Sequence, residues 1–317
     1  MSIRLFRHEA LVMASRSADA VRQRVRAGEL IRVRRGVYAD ADSWRTARPE
    51  DVVVARARAV HLTSSRAPVF SHETAAALHG LPLFRPDLVR SHVILGEARP
   101  GGPAGTVRHR GVVTADEVVE IDGLRCTSLA RTVADLSRCA SFDQAVVVAD
   151  AALRVVGGHA RGSYDRQRAE AFVDEVSTCA RDSAHGRGQS DRVMRFADGR
   201  AELPGESISR IRLREMGFRE IQLQVAVPGP GTTYFVDFGL AEAKAFGEFD
   251  GRLKYVDGRL TRGLSSDEVF DREKRREDWI RGTTQRRLVR WGWGDLASAE
   301  TLARRLAAFG IEPPRRA

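Results

Sequence analysis

The sequence predicts a multidomain chain of mixed α/β composition (α+β and α/β), in which helices and short strands alternate. The length of 317 residues is enough for two compact domains or three small ones. Hydrophobic residues make up 43% and charged residues 30%, which is the balance of a globular protein. Helical periodicity and strand-like alternation both occur along the chain. We therefore expect four segments, at residues 1–48, 49–155, 156–200 (a helical linker) and 201–317.

The net charge of +10 and the pI near 10.4 point to a polyanionic partner. No stretch approaches the roughly 20 apolar residues that span a bilayer. The N-terminus carries Arg4, Arg7 and Glu9, so it is not expected to be a secretory signal. Three cysteines without a CxxC pair argue against a disulfide framework and fit a reducing compartment. We expect a cytoplasmic, nucleoid-associated bacterial protein that binds double-stranded DNA and no membrane; the sequence does not indicate its oligomeric state.

The first 48 residues predict a small helical unit closed by a hairpin. Ser17 can cap a helix over residues 18–27, and Gly28 stands where a left-handed residue is wanted. Residues 30–38 alternate as strand, turn and strand, with the turn at Arg35-Gly36. Helix, turn, helix and basic hairpin is the layout of a winged helix-turn-helix.

Arginines on this unit are candidate DNA contacts. Arg22 and Arg26 lie four residues apart, which places them on one helical face. Arg32 and Arg34 are expected to share one face of the first hairpin strand, with Arg35 in the turn. A helix in the major groove and a wing on the phosphates would use these positions. The alternative is a solvated cationic face without a DNA role.

The middle segment mixes helices with short strands. Helices are expected from Pro49, Ser71, Ser128 and Ser141, and strands over residues 89–95 and 106–110. His72 and His79 would be about 10.5 Å apart along a helix, which is too far for one metal ion. We therefore interpret them as core or capping histidines.

Three stretches of the N-terminal half resemble AbiEi-type antitoxins, the DNA-binding repressors of type IV toxin–antitoxin pairs. They are residues 28–38 (GELIRVRRGVY), 71–82 (SHETAAALHGLP) and, more loosely, 127–136 (TSLARTVADL). This resemblance implies a winged-helix DNA-binding domain and a possible partner toxin.

From residue 201 the pattern predicts a helix followed by an antiparallel meander. Glu206 falls in the first turn of a helix that ends at Gly217. Strands are expected over residues 221–227, 234–240 and 243–250.

Three acidic residues in this region are candidate metal ligands. Val236, Phe238 and Leu240 are expected to share an apolar face, so that Asp237 points the other way. Asp237 and Glu248 on adjacent strands can then converge, with Glu206 approaching from the helix. Three carboxylates on a rigid sheet would suit Mg²⁺ or Mn²⁺, which assists phosphodiester hydrolysis. Surface or salt-bridged carboxylates are the alternative.

The order of these carboxylates resembles the PD-(D/E)XK nucleases, and most closely their Vsr-like (very-short-patch-repair-like) branch. Residues 248–251 read Glu-Phe-Asp-Gly, and a basic helix and a further strand follow, so the resemblance covers residues 202–308. It implies that Asp237 and Glu248 are catalytic, that Asp250 assists and that Lys254 positions the attacking water. The sequence departs from the family pattern in two ways. The position two residues after the glutamate, where these nucleases usually have lysine, is Asp250 here. Vsr-like relatives often use a histidine after Glu-x-Asp-Gly, but no histidine follows residue 185 here.

A second basic surface is expected next to this site. Residues 271–290 carry eight basic and four acidic side chains, and Lys274, Arg275 and Arg276 are the candidate DNA contacts. Lys274 is also an alternative to Lys254 for the role of the lysine that the family pattern usually places at the position of Asp250. Together the patterns favour a Mg²⁺-dependent DNA endonuclease, with a non-enzymatic regulator or antitoxin as the alternative. RNA is the less favoured substrate because no RNA-stacking module is visible.

Overall fold

The computed structural model describes residues 3–15, 17–96, 104–159, 161–181, 183, 185–251 and 266–314. These residues form two compact units. The first unit comprises Met1–Ala152 and Glu170–Ala197, and the second comprises Leu153–Ala169 and Asp198–Ala317. Helices and three separate sheets confirm the predicted mixed α/β composition. Among the described helices, none has the length and apolar character needed to cross a membrane.

The first unit begins with a three-stranded antiparallel sheet and two short helices. Its elements are β1 (Leu5–Arg7), α1 (His8–Ser15), α2 (Ala18–Arg26), β2 (Leu30–Arg34) and β3 (Val37–Asp40), and the strand order is β1-β3-β2. The Ser17 side chain accepts hydrogen bonds from the backbone of Asp19 and Ala20, as expected for the cap. Gly28 has φ +74°, the predicted left-handed end of α2.

One prediction about the hairpin is wrong. Arg32 pairs with Tyr38, but a register shift follows and Arg34 pairs with Val37. Since Val37 and Tyr38 are consecutive strand residues, their side chains point to opposite faces, and so do those of Arg32 and Arg34. The bulge breaks the strict alternation from which a shared face was inferred.

The rest of the first unit surrounds a five-stranded mixed sheet in the order β6-β5-β4-β8-β7. Its strands are β4 (Val69–Phe70), β5 (Ser91–Leu95), β6 (Thr106–Arg110), β7 (Val118–Ile121) and β8 (Leu124–Thr127). The helices that follow α2 along the chain are α3 (Ala41–Arg45), α4 (Pro49–Thr63), α5 (His72–Leu78), α6 (Leu129–Cys139), α7 (Phe142–Gly157), α8 (Arg166–Arg181) and α9 (Arg187–Phe196). The end of α7 and the first residues of α8 fall within Leu153–Ala169 and so belong to the second unit. Phe70, Val93 and Leu124 form the centre of this core, each at most 4% exposed.

The second unit contains a four-stranded sheet in the order β12-β11-β10-β9. Its elements are α10 (Pro204–Glu215), β9 (Ile221–Gly229), β10 (Thr232–Leu240), β11 (Ala245–Phe249), α11 (Ser266–Thr284), β12 (Arg287–Trp291), a 3-10 helix (Trp293–Leu296) and α12 (Ala299–Ala307). The first three strands form the predicted antiparallel meander, and β12 joins β11 in parallel.

The apolar face predicted for β10 is not continuous. Phe238 lies opposite Gly247 and stacks on Trp291, with 5.4 Å between the ring centroids. Val236 instead belongs to the core cluster that contains Phe246, the neighbour of Gly247 on β11. Since neighbouring strand residues point to opposite faces, Val236 and Phe238 face opposite sides of the sheet. The expectation of one shared face is therefore wrong, and Asp237 lies at the point where the alternation is lost.

Candidate carboxylate site

Glu206 lies in the first turn of α10 and is 1% exposed. Its Oε2 accepts a hydrogen bond from the Glu202 backbone nitrogen at 2.8 Å and another from Gln224 Nε2 at 3.2 Å. The first turn of a helix stabilises a negative charge, because unpaired backbone N–H groups point toward it. The sequence therefore places an acidic side chain where the helix can tolerate its burial.

Asp237 on β10 is 6% exposed and is connected to Glu206 through Gln224 on β9. Its Oδ2 accepts a hydrogen bond from the Phe249 backbone nitrogen at 2.9 Å. Its Oδ1 lies 3.5 Å from Gln224 Nε2, the same amide nitrogen that contacts Glu206. Gln224 has φ +50°, and the ladder between β9 and β10 passes from Val236 to Phe238 without pairing Asp237. This irregularity gives one amide access to both carboxylates.

Glu248 on β11 is 9% exposed and is held by two arginines. Its Oε1 accepts a hydrogen bond from Arg276 Nη2 at 2.6 Å, and its Oε2 lies 3.1 Å from Arg290 Nη2. Both arginines also pair with Glu273 on α11. Glu248 is thus part of an ion-pair network that joins the sheet to α11.

The two guanidinium groups are adapted to this network. Burial lowers the pKa of Arg276, but the hydrogen bond and negative charge of Glu248 outweigh it, so the net pKa is raised. The pKa of Arg290 is also raised, because Glu248 and Glu273 together outweigh the opposing effect of burial. Arg276 further donates to the Phe235 carbonyl at 2.6 Å. Arg276, a predicted DNA contact, therefore has its charge already balanced within the fold.

The donors around Gln224 fit a hard divalent cation in part. The Gln224 Oε1 atom is buried and has no hydrogen-bond partner among the described residues. Turning the terminal amide would exchange its nitrogen for this oxygen and give three oxygen donors with Glu206 and Asp237. Carboxylate and amide oxygens are the ligands that Mg²⁺ takes in proteins. Glu248 does not fit as directly, because its two oxygens contact arginines.

The three predicted carboxylates are not assembled into a compact ligand set. Within the described part of the chain, a different group of possible ligands is compact. It consists of His72, His92 and His109, whose donor atoms all lie within 4.8 Å of one another. Asp250 is partly exposed, and its backbone nitrogen donates to the Trp291 carbonyl. The predicted catalytic residue Lys254 lies outside the described residues.

A further cation lies near the Glu206 and Asp237 pair. Arg161 Nε lies 2.7 Å from Glu202 Oε1, and its side chain is 43% exposed. The pKa of Arg161 is raised mainly by the Glu202 hydrogen bond and in smaller part by the charges of Asp237 and Glu206. Neither Arg161 nor Gln224 was predicted. A glutamine within an alternating strand carries no sequence signal of this kind.

The predicted DNA-contact residues differ in their surroundings. Lys274 and Arg275 on α11 are exposed, as are Arg26, Arg32 and Arg35 in the first unit. The remaining three hold partners within the protein: Arg22, which is also exposed, pairs with Asp19, Arg34 Nη1 donates to the Ala104 carbonyl at 3.1 Å, and Arg276 pairs with Glu248.

The histidine prediction is correct for His79 and incomplete for His72. His79 Nε2 lies 2.8 Å from the Thr127 carbonyl, which is the structural role expected. His72 does not share a site with His79 but lies against His92 and His109 from two different strands. Spacing along one helix could not identify ligands that come from three elements.

No protein-family model matches this chain, and no curated protein matches its sequence. What the chain does is therefore inferred from its own residues and their geometry.

Proposed function

We propose that this protein binds double-stranded DNA and hydrolyses phosphodiester bonds with a divalent cation, Mg²⁺ or Mn²⁺. The order α10, β9, β10, β11, α11, β12 supports the proposal, because it carries acidic residues at the positions expected for a PD-(D/E)XK nuclease. The 3-stranded sheet with α1 and α2 supports a winged helix as the DNA-binding part.

The observation that carries the proposal is the burial of Glu206 and Asp237 beside one shared amide. The two side chains are 1% and 6% exposed. Bringing two carboxylates together in a desolvated place is unfavourable unless a cation or strong donors compensate them. Gln224 Nε2 contacts both carboxylates, which also accept from the Glu202 and Phe249 backbone nitrogens, and Gln224 Oε1 has no hydrogen-bond partner among the described residues. A divalent cation would bind both carboxylates and give the Gln224 oxygen a partner.

The residues have distinct roles in this proposal. Glu206, Asp237 and the Gln224 amide oxygen would hold the cation, which would activate the attacking water and offset negative charge on the phosphoryl group. Glu248 is oriented by Arg276 and Arg290 and would reach the cation only if it were released from them. Asp250 and Lys254 retain the auxiliary roles that the family resemblance implies.

A non-enzymatic DNA-binding regulator is the second candidate, and the arginine contacts of Glu248 favour it. A catalytic carboxylate that two guanidinium groups hold is not available to a metal in this arrangement. In that case the second unit would serve as a scaffold, and the protein would bind an operator and a partner toxin.

The experiment that separates the two candidates measures cleavage and binding in the same preparations. Nicking of supercoiled plasmid is measured with Mg²⁺ and with Mn²⁺ for wild type, Asp237→Asn and the matched control Glu220→Gln, an exposed acid of the same unit. DNA affinity is measured against salt concentration for the same proteins and for Arg35→Gln. Each lost phosphate contact should reduce the slope of log K against log salt by about 0.9.

Metal-dependent nicking by wild type and Glu220→Gln, lost in Asp237→Asn with DNA affinity unchanged, would establish the nuclease and its site. Absence of nicking in every protein, with salt-dependent binding that weakens in Arg35→Gln, would replace the nuclease by the regulator. Absence of DNA binding in wild type would overturn both.

A further inference from the structure

Three histidines from separate elements meet in the first unit. His72 begins α5, His92 lies on β5 and His109 on β6. The rings of His72 and His109 stack at 3.5 Å between centroids, and those of His92 and His109 at 5.1 Å. One ring nitrogen from each residue lies within 4.8 Å of the other two. Three imidazole nitrogens at this separation are close enough to reach one ion once the rings turn out of their stack, with N–metal distances of about 2.0–2.1 Å for zinc.

The backbone that carries these rings is fixed by hydrogen bonds. The Ser71 backbone nitrogen donates to the His92 carbonyl at 3.0 Å, and the His92 nitrogen donates to Thr74 Oγ1 at 2.8 Å. His72 has φ +52°, a conformation that a residue with a side chain rarely adopts. The surrounding contacts hold it there, and strain of this kind concentrates at functional positions.

The rings are kept in the protonation state that a metal requires. Burial lowers the pKa of His72 to about 2 and that of His92 to about 4, and it also lowers the pKa of His109. Each ring is therefore neutral at pH 7, and a neutral imidazole has one nitrogen lone pair with which it can bind a metal. His92 Nδ1 and His109 Nε2 are 2.9 Å apart and share a hydrogen bond. His92 Nε2 is buried without a partner among the described residues.

The charges around the rings are balanced, so they do not exclude a cation. Arg131 and Arg138 lie near enough to His72 to lower its pKa. Asp135 contacts both arginines, at 3.2 Å and 2.7 Å, and Glu117 contacts Arg131 at 2.8 Å. Within the part of the chain that the structure describes, Asp135 Oδ2 is buried without a hydrogen-bond partner, and the charge of Asp135 opposes the lowering of the His109 pKa. Two carboxylates thus offset two guanidinium groups beside the cluster.

We propose that His72, His92 and His109 form a binding site for one transition-metal ion of the zinc class. Neutral imidazole nitrogens suit Zn²⁺, Co²⁺, Ni²⁺ and Cu²⁺, whereas Mg²⁺ requires oxygen ligands. The ion would replace the hydrogen bond between His92 and His109; the third ring, His72, keeps one partner of its own, since its Nδ1 lies 3.0 Å from Ser71 Oγ. Three protein ligands leave a fourth position for water. The site is separate from the proposed carboxylate site and does not depend on it.

The test uses the full chain, stripped of metal with a chelator and titrated with Co²⁺ in excess Mg²⁺. Mg²⁺ occupies oxygen sites, so visible d–d absorption reports nitrogen-ligated Co²⁺, and Zn²⁺ is then added to displace it. The variants are His92→Gln and His109→Gln. His79→Gln is the matched control, because it removes a half-buried histidine of the same unit that lies outside the cluster. Circular dichroism compares the folds of the metal-free proteins.

We expect one equivalent of Co²⁺ to bind wild type and His79→Gln with tetrahedral absorption bands that Zn²⁺ removes. Each cluster variant should weaken binding by more than about 100-fold, since losing even an outer partner of a metal ligand costs about 10–100-fold. The proposal is overturned if wild type gives no such bands, or if folded His92→Gln and His109→Gln bind as wild type does. If a variant fails to fold, the other variant and the wild-type spectrum still decide the outcome.

Discussion

Replacing Glu248 by glutamine should destabilise the second unit, whether or not the protein is a nuclease. The side chains of Glu248 and Arg276 are 12% and 17% exposed, and that of Arg290 is 26% exposed. Glutamine keeps the shape but removes the charge, which leaves two guanidinium groups with insufficient negative charge around them. Removing one partner of a buried ion pair costs far more than the pair contributes.

The expected loss follows from what remains after the substitution. Breaking a buried pair by removing one partner typically costs about 3–5 kcal/mol. Glu273 still contacts both arginines, but its side chain is 40% exposed and its charge is better screened. The Phe235 carbonyl also continues to accept from Arg276. We therefore expect the lower end of that range, about 3 kcal/mol.

Urea unfolding followed by tryptophan fluorescence measures this loss. Three of the four tryptophans, Trp279, Trp291 and Trp293, lie in the second unit. Trp44→Phe removes the signal of the first unit and serves as the common background. Glu248→Gln is compared with Glu220→Gln, an exposed acid that should leave the unfolding midpoint unchanged.

An unfolding midpoint for Glu248→Gln equal to that of the control would refute the reasoning. It would mean that the arginines do not need Glu248 for charge balance. A second variant tests the same charge imbalance by removing one of the arginines. Adding Arg276→Met to Glu248→Gln removes one uncompensated charge, so part of the lost stability should return.

Two further predictions follow from packing and from the lowered histidine pKa values. A Cβ on Gly205 would overlap the Phe249 ring, so Gly205→Ala should lower the free energy of unfolding in urea by about 1–3 kcal/mol. In the control Gly282→Ala the new Cβ meets nothing within 4 Å, so the free energy of unfolding should rise by up to about 1 kcal/mol. The pKa values of His72 and His92 are about 2 and 4, below the ordinary 6.5, so the unfolded chain binds more protons than the folded chain. The free energy of unfolding of the first unit should therefore be highest above pH 6.5. Below that pH it should fall by about 1.4 kcal/mol per pH unit for each histidine, down to about pH 4. Hydrogen exchange with chelator present at pH 7 and pH 5 checks this, and protection independent of pH in wild type would contradict it.

Local signals explain why many helix and strand positions could be predicted. Ser17 and Gly28 delimit α2 through contacts within one helical turn, and the alternation over residues 106–110 matches β6. The acidic residues of the candidate site were also identifiable, because Glu206 stands in a first helical turn and Asp237 within an otherwise apolar strand. Each of these signals depends on neighbours within a few positions.

Only the tertiary structure decided which side chains meet. The bulge at Arg34 and the positive φ of Gln224 change the faces of two strands, and strict alternation cannot anticipate either. Arg276 was expected on a DNA-binding surface but lies against Glu248, because α11 packs on the sheet at that point.

The sequence by itself determined the mixed α/β composition, the helix ends and the basic charge of this protein, since these depend on composition and short-range periodicity. The histidine cluster and the Gln224 bridge were decided by tertiary structure alone. They join residues from separate elements, and strand pairing, which acts between distant parts of the chain, sets the distances between them.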